Sequence, residues 1–340
     1  MKNRQTTIID IAKALNISKS TVSRALTDHP NIKAETKKAV LELAVEMDYQ
    51  RNMLSVSLVN KKTNTIGIIV PEFVNSYFSK VIIGAQEAAA MAGYNVIFCQ
   101  SNENYDQEIS NVNIMLSNQV DGVLVSLTKE TRNFDHLKRF AKKGIPIVFF
   151  NRVCDEMIVP KVIVDDFDGA YKITEHLIET GKKRIAHLAG PDNLLISRKR
   201  KEGYLAALKK HGIAVDQELI IPYDLLPEKV SIFVNHLINL PNPPDAIFAI
   251  NDPAAIKVIE FLKSKKIRIP EDIAIAGFSN DNYSALIEPP LTTMSQPVHE
   301  IGQVAAELLI EQINREVKDW KAVTKMLKTE IIIRGSSVKQ

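Results

Sequence analysis

The segment TIIDIAKALNISKSTVSRAL, residues 7–26, decides the fold of the N-terminal part of the chain. Thr7 and Asp10 have the spacing of a capping box, which predicts a helix that begins at Ile8. Four apolar residues follow at helical spacing and define one buried face: Ile8, Ile11, Ala12 and Leu15.

Two further helices are predicted after this one. Asn16-Ile17 predicts a tight turn, and Ser18 predicts the N-cap of a second helix over residues 19–26. A third helix is predicted over residues 34–47. The residues expected to form the shared core are Val22, Ala25, Leu26, Val40, Leu43, Ala44 and Met47. Two short helices joined by a tight turn and braced by a third form a helix-turn-helix domain, which we place at residues 1–50.

The outward face of the second helix suits DNA. Arg24 can place two donors on guanine O6 and N7, while Lys19 and Ser20 can reach base edges. Small donors suited to phosphate oxygens lie nearby: Thr7, Ser18, Thr21 and Ser23. The alternative is a small helical bundle whose polar face is only solvated.

The charge distribution supports a polyanionic partner for the N-terminal segment. Residues 1–62 hold 11 Lys or Arg and 6 Asp or Glu, whereas the whole chain has a net charge of only +3. The remaining residues are therefore slightly acidic. The excess is modest, so charge alone decides little.

Length and composition indicate a soluble multidomain protein. The 340 residues predict two or three domains, and 45% hydrophobic content is ordinary for globular chains. We see no apolar run of the roughly 18–20 residues that a membrane span needs, and no secretory signal. Cys99 and Cys154 have no metal-ligand spacing, so we expect two buried thiols and a cytoplasmic location.

From residue 65 onward, short apolar runs alternate with helix-length segments. The predicted strands are 65–70, 95–100, 122–126, 146–150, 162–164, 184–188, 246–249 and 274–277. The predicted helices include 78–92, 106–117, 169–180, 198–211 and 254–265. This alternation predicts an α/β body of two doubly wound parallel sheets, which would enclose a cleft beyond the carboxyl ends of their strands.

The sequence contains no motif that predicts catalysis. It lacks G-x-S-x-G, a phosphate-loop signature, G-x-G-x-x-G after a strand, and H-E-x-x-H. We therefore expect no enzyme, no cofactor and no metal. Three alternatives stay open: an enzyme acting on a bound sugar, an exported binding protein, and a nucleoid-type DNA binder without ligand control.

The segment IDIAKALNISKSTVSRAL, with the third helix and Tyr49, resembles the DNA-binding module of the lactose-repressor and galactose-repressor family. The resemblance implies that Lys19, Ser20 and Arg24 read bases. It implies backbone contacts for Thr7, Ser18, Thr21, Ser23, Thr27, Asn31, Thr36, Tyr49 and Asn52.

In this family a hinge follows the third helix and enters the minor groove of DNA, where a leucine wedges into a base step. Residues 51–64 match that hinge, with Ser55 and Leu58 as the minor-groove residues and Leu58 as the wedge. Arg51, Ser55 and Val56 depart from the common pattern of the family. The alternative is a plain flexible linker with Leu58 packed on the core.

Residues 65–335 resemble the effector-binding and dimerisation domain of the same family, which is similar to periplasmic sugar-binding proteins. The matching segments include TIGIIVP, VDGVLVS, VDDFDGA, SRKRKEGY and AIFAIND. The resemblance implies an N-subdomain of about 65–162 and 293–325, and a C-subdomain of about 163–292 and 326–338.

The resemblance also implies a set of effector-binding residues: Tyr77, Phe78, Asn151, Asp165, Arg200, Asn251, Asp252 and Ser279. Arg200, with Gly203 three residues later, matches an arginine that in this family fixes ligand oxygens or a carboxylate. Tyr77 and Phe78 could instead be core residues. Arg200 could instead belong to a run of solvent-exposed charged residues. Asp165-Asp166-Phe167-Asp168 is interpreted as a helix cap rather than a metal site.

The family relationship implies a homodimer on a near-palindromic DNA operator, with two reading helices in successive major grooves. A small sugar-like effector would control operator affinity, and repression is the commoner outcome. The sequence does not identify the effector or the operator.

Overall fold

The computed structural model describes residues 6–49, 62–74, 76–315 and 322–339. The chain forms two compact units, Met1–Thr63 and Asn64–Gln340. Over its described residues, the first unit contains three helices: α1 Ile8–Ala14, α2 Lys19–Leu26 and α3 Ala34–Glu46.

Local capping fixes the helices of the first unit. The Thr7 amide and hydroxyl both donate to Asp10 Oδ2, at 2.9 and 2.6 Å, so the predicted capping box is present. Ser18 Oγ accepts from the Thr21 amide at 3.1 Å and caps α2. Asn16 turns the chain with a φ of 55°, a left-handed conformation that Asn tolerates. The small core consists of Ile11, Ala12, Val22, Ala25, Val40 and Ala44.

The second unit is built from alternating strands and helices. Its strands are β1 Thr65–Val70, β2 Asn95–Gln100, β3 Gly122–Val125, β4 Ile147–Phe150, β5 Lys161–Val164, β6 Ile185–Ala189, β7 Ile220–Pro222, β8 Ala246–Ala249, β9 Ala274–Ser279, β10 Thr292–Ser295, β11 Thr324–Leu327 and β12 Glu330–Ile332. Its α-helices are α4 Ser76–Met91, α5 Tyr105–Ser117, α6 Asp135–Lys142, α7 Asp166–Glu179, α8 Leu195–Lys210, α9 Val230–Ile238, α10 Asp252–Ser264 and α11 Val298–Asn314.

Two six-stranded sheets organise this unit. Their strand orders are β11-β5-β4-β3-β1-β2 and β12-β10-β9-β8-β6-β7. Among the described strands, every pairing is parallel except that of β10 with β12. Strands β3, β4 and β8 are buried along their whole length, because helices cover both faces of each sheet. The predicted pair of doubly wound parallel sheets is confirmed.

The chain crosses between the sheets three times in the described residues. We expected crossings after about residues 162, 292 and 325. All of β5 and all of β11 lie in the first sheet, and all of β10 lies in the second. The crossings therefore lie in the loops after Val164, Ser295 and Leu327, about two or three residues beyond the approximate expected positions.

Two glycines allow α4 and α11 to pack closely beside the first sheet. A Cβ atom on Gly84 would lie 2.1 Å from the His299 carbonyl oxygen, and one on Gly302 would lie 1.9 Å from that of Val81. Any side chain at either position would therefore push the two helices apart. Across the described ranges, no helix has the length and apolar character required to cross a bilayer.

Candidate DNA-reading surface and ligand cavity

The exposed side of α2 carries the three predicted base-reading residues. Lys19, Ser20 and Arg24 are all exposed, while Val22 and Ala25 on the opposite side are buried in the core. The helix therefore presents donors to its surroundings from a rigid base, as base readout requires.

The predicted backbone-contacting residues surround this face. Ser18, Ser23, Thr27 and Asn31 are exposed, and Thr7, Thr21, Thr36 and Tyr49 are half-buried. The Thr27 hydroxyl donates within its own helix to the carbonyl oxygens of Ser23 and Arg24, both at 3.1 Å. Asn52, Ser55 and Leu58 lie outside the described residues, so their roles stay predictions.

A cavity of about 670 Å³ opens between the two sheets of the second unit. It lies where strands end: Asn151 follows β4, Asn251 follows β8, and Ser279 ends β9. Ligands bind at this place in parallel α/β sheets, because polar loop residues converge there.

Arg200 lines the cavity from α8 and is almost completely buried. Its Nε and Nη2 atoms donate to Asp166 Oδ1 at 2.8 and 2.7 Å, and its Nη1 donates to the Ile250 carbonyl oxygen at 2.6 Å. The guanidinium lies 3.7 Å from the ring centre of Phe278. Burial raises the pKa of Asp166, and the charge of Arg200 opposes that rise and stabilises the carboxylate. The solvated-charge interpretation of Arg200 is therefore wrong.

Gly203 has a packing role rather than a ligand role. A Cβ atom at this position would lie 2.2 Å from the Phe167 carbonyl oxygen and 2.9 Å from the Tyr171 amide nitrogen. Because glycine has no Cβ atom, α8 can approach α7 closely, and this approach brings Arg200 within hydrogen-bond distance of Asp166. The spacing of arginine and glycine thus reflects the geometry of two packed helices.

A second arginine lines the cavity, and the sequence did not indicate it. Arg152 Nη1 donates to Glu103 Oε1 and Oε2 at 2.7 and 2.8 Å. Glu103 Oε2 also accepts from the Lys129 amide at 2.8 Å. Arg152 follows Asn151 directly, so its position after β4 is the only sequence signal for it.

Tyr77 and Phe78 fit both of their alternative roles. Phe78 is 2% exposed, belongs to the hydrophobic core and also lines the cavity. Tyr77 packs edge-on against it at 5.1 Å between ring centres. Burial raises the pKa of Tyr77 far above its usual value, so its hydroxyl stays protonated.

Asn151, Asn251 and Ser279 line the cavity as predicted. Asn251 Oδ1 also accepts from the Ala254 amide at 3.0 Å and caps α10. Ser279 Oγ accepts from Gln296 Nε2 at 3.1 Å, and Gln296 is a further lining residue that the sequence did not indicate.

Asp165 and Asp252, by contrast, do not line the cavity. Asp165 Oδ1 accepts from the Asp168 amide at 2.9 Å and caps α7. Asp252 is completely buried and accepts from the Thr293 and Ser284 hydroxyls, both at 2.6 Å. Both carboxylates are engaged by the fold itself, so we correct their predicted contact with the effector to a structural role.

Asp281 is a cavity residue that connects the two halves of the unit. Its backbone amide donates to Asp252 Oδ2 at 2.8 Å, and its Oδ2 accepts from the Ser76 hydroxyl at 2.7 Å. Ser76 begins α4 beside the first sheet, whereas Asp281 follows β9 in the second. Asp252 therefore acts on the cavity indirectly, by positioning the loop that carries Asp281.

Two family models match consecutive parts of the chain. Residues 7–52 match the model described as "Bacterial regulatory proteins, lacI family". Residues 63–330 match the model described as "Periplasmic binding proteins and sugar binding domain of LacI family".

Individual relatives match along nearly the whole chain. Catabolite control protein A of Priestia megaterium is 32% identical over 93% of this chain and 95% of its own length. The HTH-type transcriptional repressor CytR of Escherichia coli strain K12 is also 32% identical, over 97% of this chain and 96% of its own. The solved cellobiose complex of the transcriptional regulator CelR has a TM-score of 0.74 at 26% identity, and the match covers 98% of this chain and 100% of that one.

These matches confirm the resemblance to the lactose-repressor and galactose-repressor family, on which the predictions for the helix-turn-helix domain and the effector-binding domain depend. CytR is named as a transcriptional repressor and CelR as a transcriptional regulator. The chain belongs to the LacI family of bacterial regulatory proteins and is a DNA-binding transcriptional regulator with a ligand-binding domain.

Proposed function

We propose that this regulator is a homodimeric repressor whose operator affinity is set by a sugar or sugar derivative bound in the cavity. The observation that carries the proposal is the composition of the cavity wall. Asn151 and Arg152 face it from the first half of the ligand-binding unit, and Arg200 and Asn251 face it from the second. One ligand can therefore bind both halves at once.

A ligand that bridges the halves favours one relative orientation of them. It shifts that equilibrium only by the difference in its affinity for the two orientations. In the proposed dimer, the shift changes the spacing of the two reading helices, so that both fit successive major grooves in only one state.

The cavity wall suits a sugar in particular. Asparagine amides and arginine donors satisfy hydroxyls, and Tyr77, Phe78 and Tyr223 offer aromatic surface to the apolar face of a ring. The solved CelR complex contains cellobiose, which supports a sugar ligand here without identifying it.

The test is a thermal-shift screen with sugars, followed by titration of any binder into the protein–DNA complex. Arg200→Ala should abolish the response of both the melting temperature and the DNA affinity, and Asn151→Ala should weaken it. Arg198→Ala is the matched control, because Arg198 is exposed on the same helix. A full ligand response in Arg200→Ala would contradict the assignment of the cavity.

A further inference from the structure

The two arginines of the cavity wall each form an ion pair within the protein. Arg200 is bonded to Asp166, with the two side chains 4% and 7% exposed. Arg152 is bonded to Glu103, with side chains 9% and 20% exposed. Each arginine thus has a carboxylate of the same chain at hydrogen-bond distance, where water screens the pair little.

The overall charge of the wall is acidic. Its basic residues are Lys129, Arg152 and Arg200, and its acidic residues are Glu72, Glu103, Glu130 and Asp281. Asp166 adds a further carboxylate behind Arg200. Lys129 Nζ donates to the backbone carbonyl oxygen of Asp224 at 2.8 Å, which holds it at the rim.

Arg200 nevertheless retains donors for a ligand. A guanidinium has five N–H groups, and the bonds to Asp166 and Ile250 use three of them. The other two can donate to hydroxyl oxygens. A hydroxyl carries no charge, so it can bind to a guanidinium whose charge is already offset by Asp166. A carboxylate or phosphate bound to these donors would gain little from Arg200, because the negative charge of Asp166 behind it already offsets the positive charge of the guanidinium.

We infer that the cavity selects an uncharged, hydroxyl-rich ligand and rejects the carboxylate and phosphate derivatives of the same sugar. Asp166 and Glu103 are the residues that set this selectivity, since each cancels the arginine that would otherwise attract an anion. The inference rests on the proposed function and adds the charge class of the effector.

The experiment compares matched sets of sugars by calorimetry and thermal shift on the full chain. The sets are glucose, glucuronate and glucose 6-phosphate; galactose, galacturonate and galactose 6-phosphate; and ribose with ribose 5-phosphate. For every parent sugar that binds, the anionic member should bind at least about tenfold more weakly, a difference of about 1.4 kcal/mol.

Two variants remove the selectivity from different sides of the cavity. Asp166→Asn leaves the charge of Arg200 uncancelled, and Glu103→Gln does the same for Arg152. Each should shift the ratio of affinities by about tenfold toward the anion. Glu103→Gln also tests the idea if the more buried Asp166→Asn fails to fold. Glu130→Gln is the matched comparison: it removes a wall carboxylate that accepts from Asn104 and the Tyr105 amide rather than from an arginine, so it should shift the ratio of affinities less than Glu103→Gln does.

The outcomes separate the two claims. If a uronate or sugar phosphate binds wild type as tightly as its parent and changes DNA affinity, the charge selectivity is wrong and sugar control stands. The charge selectivity would also be wrong if Glu103→Gln, Glu130→Gln and wild type had the same ratio of affinities for the anionic sugar and its parent. If no sugar of any charge binds while the protein still holds its DNA site, sugar control fails, and the selectivity fails with it.

Discussion

Ser76 and Asp281 connect the two halves of the ligand-binding unit through a single carboxylate oxygen. Asp281 Oδ2 accepts from both the amide and the hydroxyl of Ser76, at 3.3 and 2.7 Å. The pair lies 205 residues apart in sequence and at the edge of the cavity. It therefore resists any separation of the halves.

Ser76→Ala should weaken this connection. The substitution removes a hydrogen bond to a charged group, which typically contributes about 1.5–3 kcal/mol. The Ser76 amide still donates to Asp281 in this variant, so we expect the free energy of unfolding to fall by only about 1–2 kcal/mol. Hydrogen exchange of residues 280–284 should also accelerate. Urea denaturation and exchange measurements check both effects against Ser79→Ala, an exposed serine of the same helix; equal stability of the two variants would refute the prediction.

Asp252→Ala should destabilise the protein more strongly. It leaves the Thr293 hydroxyl, the Ser284 hydroxyl and the Asp281 amide buried without their acceptor. Breaking such a buried network costs about 3 kcal/mol. Chemical denaturation measures the loss, with Glu260→Ala as the control, because Glu260 pairs with Lys257 on the exposed side of the same helix. A loss below about 1 kcal/mol, the scale of a surface pair, would contradict the positioning role of Asp252.

His187 should make stability depend on pH. It is completely buried, and its Nδ1 donates to the Phe248 carbonyl oxygen, 2.9 Å away. Burial lowers the pKa of His187 from 6.5 to about 4. The unfolded chain therefore binds a proton that the folded chain excludes, so this contribution to stability is complete above pH 6.5 and is lost as the pH falls toward 4.

Between pH 6.5 and 5 this loss should reach roughly 2 kcal/mol. The check compares the unfolding free energy of wild type and His187→Asn across that window, in which the variant should show a flatter dependence. Groups that titrate in both proteins, such as His176, cancel in the comparison. His236→Asn is the control, since His236 is exposed. Parallel curves for wild type and His187→Asn would show that His187 does not exclude the proton.

Gly203→Ala should separate α7 from α8. Alanine gains about 0.5–1 kcal/mol of helix propensity over glycine, but overpacking against the backbone costs about 1–3 kcal/mol. We expect a net destabilisation of about 1–2 kcal/mol and weaker ligand binding, because Arg200 and Asp166 lie on these two helices. Thermal melts with and without ligand test this against Glu202→Ala, an exposed neighbour. An unchanged or raised melting temperature would count against close packing at Gly203.

The sequence predicts the N-terminal unit in detail because local contacts determine it. Ser18 and Asn16 bound the turn before α2, and the predicted bounds of that helix, 19–26, agree with the structure. Strand β10 was missed because Thr292 and Thr293 read as polar, although their hydroxyls bond to the Arg334 carbonyl oxygen and Asp252 inside the fold.

The cavity is less predictable, because its chemistry depends on pairs distant in sequence. Arg200 was identified from a motif, but the motif does not show that Asp166 cancels its charge. Glu103 and Arg152 lie 49 residues apart, and no local pattern connects them. Long-range pairing of this kind is visible only once the strands have been placed in their sheets.

We propose that Lys19, Ser20 and Arg24 read bases while a ligand in the cavity controls that reading. The most direct measurement is the affinity of the full chain for a duplex selected from a random pool, relative to a scrambled duplex, at about 0.15 M salt with and without the sugar found by screening. We expect the selected duplex to bind at least about a thousandfold more tightly than the scrambled one, and the sugar to change that preference. Arg24→Ala should lose about 1–3 kcal/mol of discrimination at one base pair. Equal affinity for both duplexes, in the presence and the absence of the sugar, would contradict this proposal.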